Sequence, residues 1–329
     1  MPSLPPVIAE IRLAVRTALA DLPEGSAIVV GLSGGADSLA LAAAVAFEAP
    51  KRGLRATAVV VDHGLQEGSD EVALTAARSA ATLGLDPLVV TVEVGDEGGP
   101  EAAAREARQR VLRDAAADVW ATTVLLGHTL DDQAETVLLG LARGAGASSL
   151  QGMAPVRTDD EGLRWIRPLL GVRRETTRAF CRASALEFWD DPHNLDERFS
   201  RVRVRERVLP TLEAELGPGI AEALARTAEQ LREDAEAFDE MIHETIEDIV
   251  EHAEAGISVS VAALAANPAA LRNRIIRLVV DSEFGVSLTR TQTIEVARLV
   301  TDWAGQGPID LPGASAARHG GRLVFTARA

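Results

Sequence analysis

Residues 27–38, Ala-Ile-Val-Val-Gly-Leu-Ser-Gly-Gly-Ala-Asp-Ser, decide how the chain is read. Ala27 to Leu32 is a continuous apolar run, and an Ala/Leu-rich stretch, Leu39 to Val45, follows the polar centre. That layout predicts strand, tight turn, helix. In the turn, Gly34 and Gly35 let the backbone approach an anion and adopt conformations that a side chain forbids. Ser33 and Ser38 add hydroxyl donors, and the helix beyond points its positive end back at the loop. An isolated Gly-Gly is more often an ordinary turn; six fitting positions, Ser33, Gly34, Gly35, Ala36, Asp37 and Ser38, favour a phosphate pocket. Asp37 is the odd member, because a carboxylate beside a phosphate is repulsive. It fits if a divalent metal lies between the two, or if Asp37 takes part in the reaction.

Further apolar runs flank this one. Ala56–Val61 ends at Asp62-His63-Gly64-Leu65, Leu88–Val92 is a third run, and Thr123–Leu126 leads to Gly127-His128. Helical spacing fills the intervals: 7–22, 69–83, 101–117 and 130–143. Continuous apolar strands alternating with helices predict an α/β fold with a parallel sheet covered on both faces. Ligands of such sheets gather outside the carboxyl ends of the strands, where the loop, Asp62-His63 and Gly127-His128 all fall. Beyond these, Arg167-Pro168-Leu169-Leu170 reads as a short extended piece and 174–185 as a helix. Glycine and proline cluster at Leu216-Gly217-Pro218-Gly219, which sets the expected domain boundary: residues 1–216, then a smaller, mainly helical domain over 217–329 ending in a small hairpin. From Glu213 to Glu254, fourteen acidic residues face only Arg226 and Arg232, whereas Arg164 to Arg207 carries eleven arginines against seven acids.

His128-Thr129-Leu130-Asp131-Asp132-Gln133-Ala134-Glu135-Thr136 opens the helix after the fourth strand. Acids in a first turn suit the helix dipole. Asp132 and Glu135, three apart, also share one face, where two carboxylates beside an imidazole suit a metal or a cationic substrate.

The Ser33–Ser38 motif resembles the PP-loop of ATP pyrophosphatases, which cut ATP between the α and β phosphates. It is not a Walker loop, since the sole lysine, Lys51, is far away. Six further motifs follow in order: Val61-Asp62-His63-Gly64-Leu65, Glu101-x-x-Ala104-Arg105-x-x-Arg108, the Gly127–Thr136 segment, Arg143-Gly144-x-Gly146, Arg167–Leu170, and Asp191-Pro192-x-Asn194-x-Asp196. An arginine-rich run ending in Val208-Leu209-Pro210 closes the set. The series is similar to the tRNA(Ile)-lysidine synthetase family over roughly the first two-thirds of the chain, in a short form lacking the last C-terminal domain. Two positions depart from the family: Gln109 replaces an aromatic, and Val202 replaces the asparagine of an Arg-Asn pair.

The resemblance implies ATP-dependent ligation of free lysine to C2 of the wobble cytidine of tRNA(Ile) with a CAU anticodon, through an adenylated cytidine. Mg²⁺ is implied with ATP, with Asp37 as its ligand. ATP contacts are expected at Ser33 to Ser38 and Gly127. Asp62 and His63 either touch ATP or cap a strand end. Arg108 or Arg205 is expected to stabilise charge on the α phosphate, Asp132 and Glu135 to orient lysine, and Asp132 to join Asp37 in catalysis. His128 fits either a proton step in the lysine site or a local hydrogen bond. Phosphate contacts to tRNA are expected from Arg173, Arg174, Arg201, Arg203 and Arg205, which would otherwise form solvated ion pairs with Glu175, Glu187 and Glu206. In the acidic C-terminal region only a few basic side chains, such as Arg272, Arg274 and Arg277, remain for RNA.

Bulk properties agree with that class. A net charge of −16 over 329 residues argues against nonspecific nucleic-acid binding. No stretch is apolar enough to span a membrane, and Met1 to Pro6 lacks the features of a signal peptide, so a cytoplasmic enzyme is expected. Cys181 is the only cysteine; disulfides, cysteine zinc sites and the paired thiols of sulfur-transferring PP-loop enzymes are excluded. Oligomeric state is left open, a homodimer among the options. Two alternatives stay on the page: a PP-loop synthetase of the NAD or GMP type that amidates a small metabolite, or a non-catalytic ATP-binding module.

Overall fold

The computed structural model describes residues 4–64, 68–92, 100–144, 146–191, 196–253 and 256–328. Leu65, Pro192 and Asn194 of the sequence motifs lie outside these residues. The chain divides into two compact units, Met1–Arg232 and Glu233–Ala329. The division falls inside a long helix rather than at the Gly-Pro cluster.

The first unit begins with α1 (Pro6–Ala18), then β1 (Ala27–Leu32), α2 (Ala36–Glu48), β2 (Arg55–Asp62), α3 (Ser69–Thr82), β3 (Asp86–Thr91), α4 (Pro100–Asp118), β4 (Ala121–Leu125) and α5 (Leu130–Ala142). A six-stranded sheet forms in the order β3-β2-β1-β4-β6-β5. All its pairings are parallel except that of β5 (Val156–Thr158) with β6 (Arg164–Ile166), which is antiparallel. β1 shows why both faces are covered. Ile28, Val30 and Leu32 pack into a cluster with α1, α2 and α3, while Ala27 and Val29 pack with Val111, Leu112 and Ala115 of α4. Period-two alternation thus puts apolar side chains on both faces, the signature of a buried parallel strand.

Two expectations need correction. The extended piece is Arg164–Ile166, one step before Arg167–Leu170, which forms a turn closed by Leu170 N–H donating to Arg167 O. Pro168 has no N–H for a ladder and fits the second position of such a turn. The terminal hairpin, in turn, belongs to a larger sheet, described below.

A one-turn α6 (Ala147–Leu150) precedes β5, and after β6 come α7 (Arg174–Ala183), α8 (Ser200–Arg203), a π-helical segment Val204–Val208, α9 (Leu209–Leu216) and α10 (Ile220–Ile249). Leu130 and Ala134 of α5 pack with Val204, Leu209 and Ala221, which fixes the arginine-rich run against α5.

The second unit contains β7 (Val250–Ala253), β8 (Gly256–Ser260), α11 (Val261–Ala266), α12 (Ala269–Phe284), α13 (Arg290–Thr301), β9 (Ile309–Leu311), β10 (Ala314–His319) and β11 (Arg322–Ala327). Its five strands form a sheet of order β7-β8-β11-β10-β9, antiparallel throughout. Val259, Leu323 and Phe325 pack on Ile275, Val279 and Val296 of α12 and α13.

Candidate active site

The loop between β1 and α2 is held by its own hydrogen bonds. Ser33 N–H donates to Ser38 Oγ at 3.1 Å, and Ser38 Oγ donates to Gly35 O at 3.0 Å. Gly34 takes φ +81°, a conformation that favours glycine. Gly35 is the N-cap of α2 without a side-chain cap, so the first amides of α2 point at the loop unclaimed by a capping side chain. Gly127 lies directly beside them: a Cβ there would stand 3.0 Å from the Cα and N of Ser38. This close approach leaves room only for hydrogen at that position.

Asp37 Oδ1 accepts a hydrogen bond from Thr177 Oγ1, and Arg174 Nε stands 3.5 Å from Oδ2. Burial raises the Asp37 pKa, with Thr177 and Arg174 opposing the rise. Among the described residues no three His, Cys, Asp or Glu side chains gather as a metal cage. A partly buried carboxylate one residue into a helix, beside a glycine-containing loop, is chemically suited to an ion that arrives with a phosphate. Mg²⁺ commonly uses one or two carboxylates and completes its shell with phosphate and water. The residues fit it on those terms.

The second cluster is held mainly by side chains from elsewhere. Thr129 and Asp132 form a capping box on α5: Asp132 Oδ2 accepts from Thr129 N–H at 2.8 Å. Its Oδ1 receives Arg174 Nη2 at 2.7 Å. Glu135, 0% exposed, receives Arg174 Nη1 at 3.1 Å and both Nε and Nη2 of Arg205, at 2.7 and 3.1 Å, with Arg201 Nε at 3.7 Å. Arg205 is therefore bidentate, the strong form of this pair. It sits on the π-helical segment, and Arg201 lies four residues before it. Burial works against the Asp132 charge, but Arg174, the Thr129 amide and His128 outweigh it and hold the pKa below the usual value. Arg174 is also opposed by burial, yet four surrounding aspartates and glutamates raise its pKa.

Across the crevice, positive charge is in excess. Burial, then Arg105 and Arg201, lower Arg108; burial, then Arg108, lower His63. His128 is lowered to about 3 by burial, with Arg167, Arg108 and Arg105 adding to the effect against Asp132. His63 and His128 each bury an Nδ1 with no hydrogen-bond partner. Mutually repelling cations beside two unsatisfied ring nitrogens are what a polyanion with acceptor groups would relieve.

The structure thus brings together Ser33 to Ser38, Gly127, Asp37, Asp132, Glu135 and Arg205, and it electrostatically couples Arg108, His63 and His128. Asp62 Oδ1 accepts from Gly64 N–H at 3.0 Å, which is strand-end capping. Arg174, grouped by sequence with the docking arginines, turns inward to the carboxylates. Arg173 pairs with Asp131 at 3.5 Å and Glu222 at 3.6 Å, Arg201 donates to Thr136 Oγ1, and Arg203 lies exposed, donating to the carbonyls of Glu197 and Arg198. Sequence reasoning did not single out Thr177 or give Arg174 its hub position. Their three-residue spacing was visible; what it faced was not. In the second unit, Arg274 stacks over Phe238 at 4.7 Å and Arg272 donates to Asn267 O. Burial, then Arg274 and Arg290, lower Arg277.

Comparison with known proteins shows the family. Residues 9–212 match the PP-loop domain family, and residues 260–324 match the TilS substrate binding domain. The chain is 60% identical to a tRNA(Ile)-lysidine synthase of Leifsonia xyli, over 92% of this chain and 91% of that one. Its identity to the Thermobifida fusca tRNA(Ile)-lysidine synthase is 50%, over 98% of each. A solved U34-tRNA thiolase, NcsA from Methanococcus maripaludis, shares the fold with a TM-score of 0.59 at 20% identity, covering 69% of this chain and 80% of that one. At these identities and coverages the chain belongs to the tRNA(Ile)-lysidine synthase family.

Proposed function

We propose that the protein ligates lysine to C2 of the wobble cytidine of tRNA(Ile) with a CAU anticodon, consuming ATP and releasing AMP and pyrophosphate. One observation carries the reading: the Ser33–Ser38 cradle stands beside the Asp132/Glu135 carboxylates on the far side of Asp37, joined through Arg174. A phosphate site and a cation site therefore share one crevice. The full-length likeness to lysidine synthases favours this over an amidating synthetase or a non-catalytic ATP module.

The reaction has two steps. Cytosine O2 attacks the α phosphorus and pyrophosphate leaves; the lysine ε-amine then attacks C2, and AMP leaves with the O2 oxygen. In the first step, the loop amides and Ser33 cradle the phosphates, while Arg108 and its cationic neighbours stabilise charge building on them. Mg²⁺, when bound, neutralises phosphate charge, and Asp37 would hold it. In the second step, the amine needs an anionic seat and a proton acceptor, which Asp132 and Glu135 supply once their arginines re-partner with phosphate. His128 is neutral at physiological pH and fits a hydrogen-bonding role. Arg173, Arg201 and Arg203 are proposed as tRNA phosphate contacts. No described helix is long and apolar enough to cross a membrane, and we place the reaction in the cytoplasm.

The test is incubation with ATP, radiolabelled lysine and tRNA(Ile) bearing CAU. ATP-dependent label in tRNA is the expected result. AMP formed with ammonia and without tRNA would overturn it in favour of an amidating synthetase.

A further inference from the structure

Helix α7 presents one stripe of side chains, Arg174, Thr177 and Cys181, at positions i, i+3 and i+7. All three reach the start of α2, about 140 residues earlier in the chain. Arg174 faces Asp37 Oδ2 at 3.5 Å, Thr177 Oγ1 donates to Asp37 Oδ1, and Cys181 Sγ donates to Ala36 O at 3.4 Å. Phe180 and Cys181 place the rest of the buried side of α7 in the core beneath α1 and α2. The helix is thus fixed by apolar packing, and its polar stripe is fixed with it.

Thr177 is 0% exposed, so no solvent competes for its hydroxyl. That hydroxyl lies within reach of two acceptors, Asp37 Oδ1 and the Arg174 carbonyl at 2.7 Å, but it has one proton. A charged acceptor outcompetes a neutral carbonyl. As a β-branched residue in a helix, Thr177 also has few rotamers to choose from. Asp37, by contrast, is the second residue of α2, where a carboxylate can otherwise fold back on its own helix amides.

We propose that Thr177 is a positioning residue for Asp37: its buried hydroxyl ties down Oδ1, so that Oδ2 alone is presented to a cation. In this structure the cation is Arg174; in the loaded enzyme it is the divalent ion that accompanies the nucleotide. The inference rests on the reading of Asp37 as the carboxylate for that ion.

The experiment uses the full chain without tRNA and measures ATP binding as Mg²⁺ is titrated, alongside thermal unfolding of the ligand-free protein. Thr177→Val keeps the shape and removes the hydroxyl; it is expected to raise the Mg²⁺ concentration for half-maximal ATP binding by about 10- to 100-fold. Thr177→Ser restores the hydroxyl and should stay within about threefold of the parent. A Thr177→Val protein with lowered melting temperature but an unchanged Mg²⁺ curve would show a merely structural role and overturn the proposal. Should Thr177→Val not fold, Thr177→Ala carries the same comparison with Thr177→Ser. Asp37→Asn separates the two levels of inference. If it leaves the Mg²⁺ curve unchanged, the reading of Asp37 fails; if it shifts the curve while Thr177→Val does not, only the role of Thr177 fails.

Discussion

The PP-loop and the Asp132/Glu135 cluster stand at the ends of neighbouring strands, β1 and β4, and are built from opposite materials. Residues within six positions of one another shape the loop: glycine conformations, the Ser33–Ser38 bonds and the N-terminus of α2. The cluster is shaped by arginines 39 to 70 residues away, converging on two carboxylates of α5. One is a tight loop held by local backbone geometry and short-range serine bonds. The other is a buried set of charges whose energy depends on complete pairing. Local construction makes the loop cheap to hold and sensitive to shape; distant construction makes the cluster sensitive to charge.

Breaking the comparison on the loop side has the largest expected effect. Asp37→Asn removes the one charge the cradle contributes, and ATP–pyrophosphate turnover is expected to fall on the order of 10³-fold, with circular dichroism unchanged. Next comes Glu135→Gln, which leaves Arg174, Arg201 and Arg205 without their shared counter-charge. Urea unfolding should show a loss of about 3 kcal/mol, a stability cost that Asp37→Asn should not share. Gly127→Ala drives a methyl into the Ser38 backbone; a cost of about 1–2 kcal/mol should appear as weaker ATP binding in an equilibrium titration. Smaller again is Arg203→Ala, expected to raise the KM for tRNA a few-fold and reduce the salt slope of binding by about 1, leaving ATP binding intact.

A separate effect is on acid stability. Folding lowers the His128 pKa from 6.5 to about 3, so the unfolded chain binds its proton first as pH falls. Stability from this residue is complete above pH 6.5 and declines as pH drops from there towards 3. Asp132, whose pKa is lowered from 3.8, loses its contribution only below that value. Unfolding midpoints of His128→Gln measured from pH 7 to 4 should therefore fall less steeply than those of the parent, and a matching slope would assign the acid sensitivity elsewhere.

Much of the fold was legible because its signals are local. Apolar runs, Gly34 and the Asp132/Glu135 spacing each specify structure within one turn or strand. The two short strands β5 and β6 were not, since three residues carry too little periodicity to separate strand from turn, and Pro168 drew the reading one step late. The five-stranded terminal sheet was reduced to a hairpin for a related reason: β8 pairs with β11 across more than 60 residues, and no local pattern announces such a partner. In the site, Arg174 illustrates the limit. Its neighbours in sequence suggested an outward cation docking RNA, but α7 packs so that residue 174 faces Asp37, Asp132 and Glu135.

By itself the sequence determined the parallel sheet, the glycine turn between β1 and α2 and which carboxylates share a face of α5, because backbone conformation, side-chain period and helix capping act over a few residues. Only the tertiary structure decided which arginine neutralises which acid, that Thr177 reaches Asp37, and that His63 and His128 keep unsatisfied nitrogens in the crevice. Those pairings arise from elements brought together by burial of apolar surface, a force without direction in sequence, and the charges then settle with whatever partners the packing delivers.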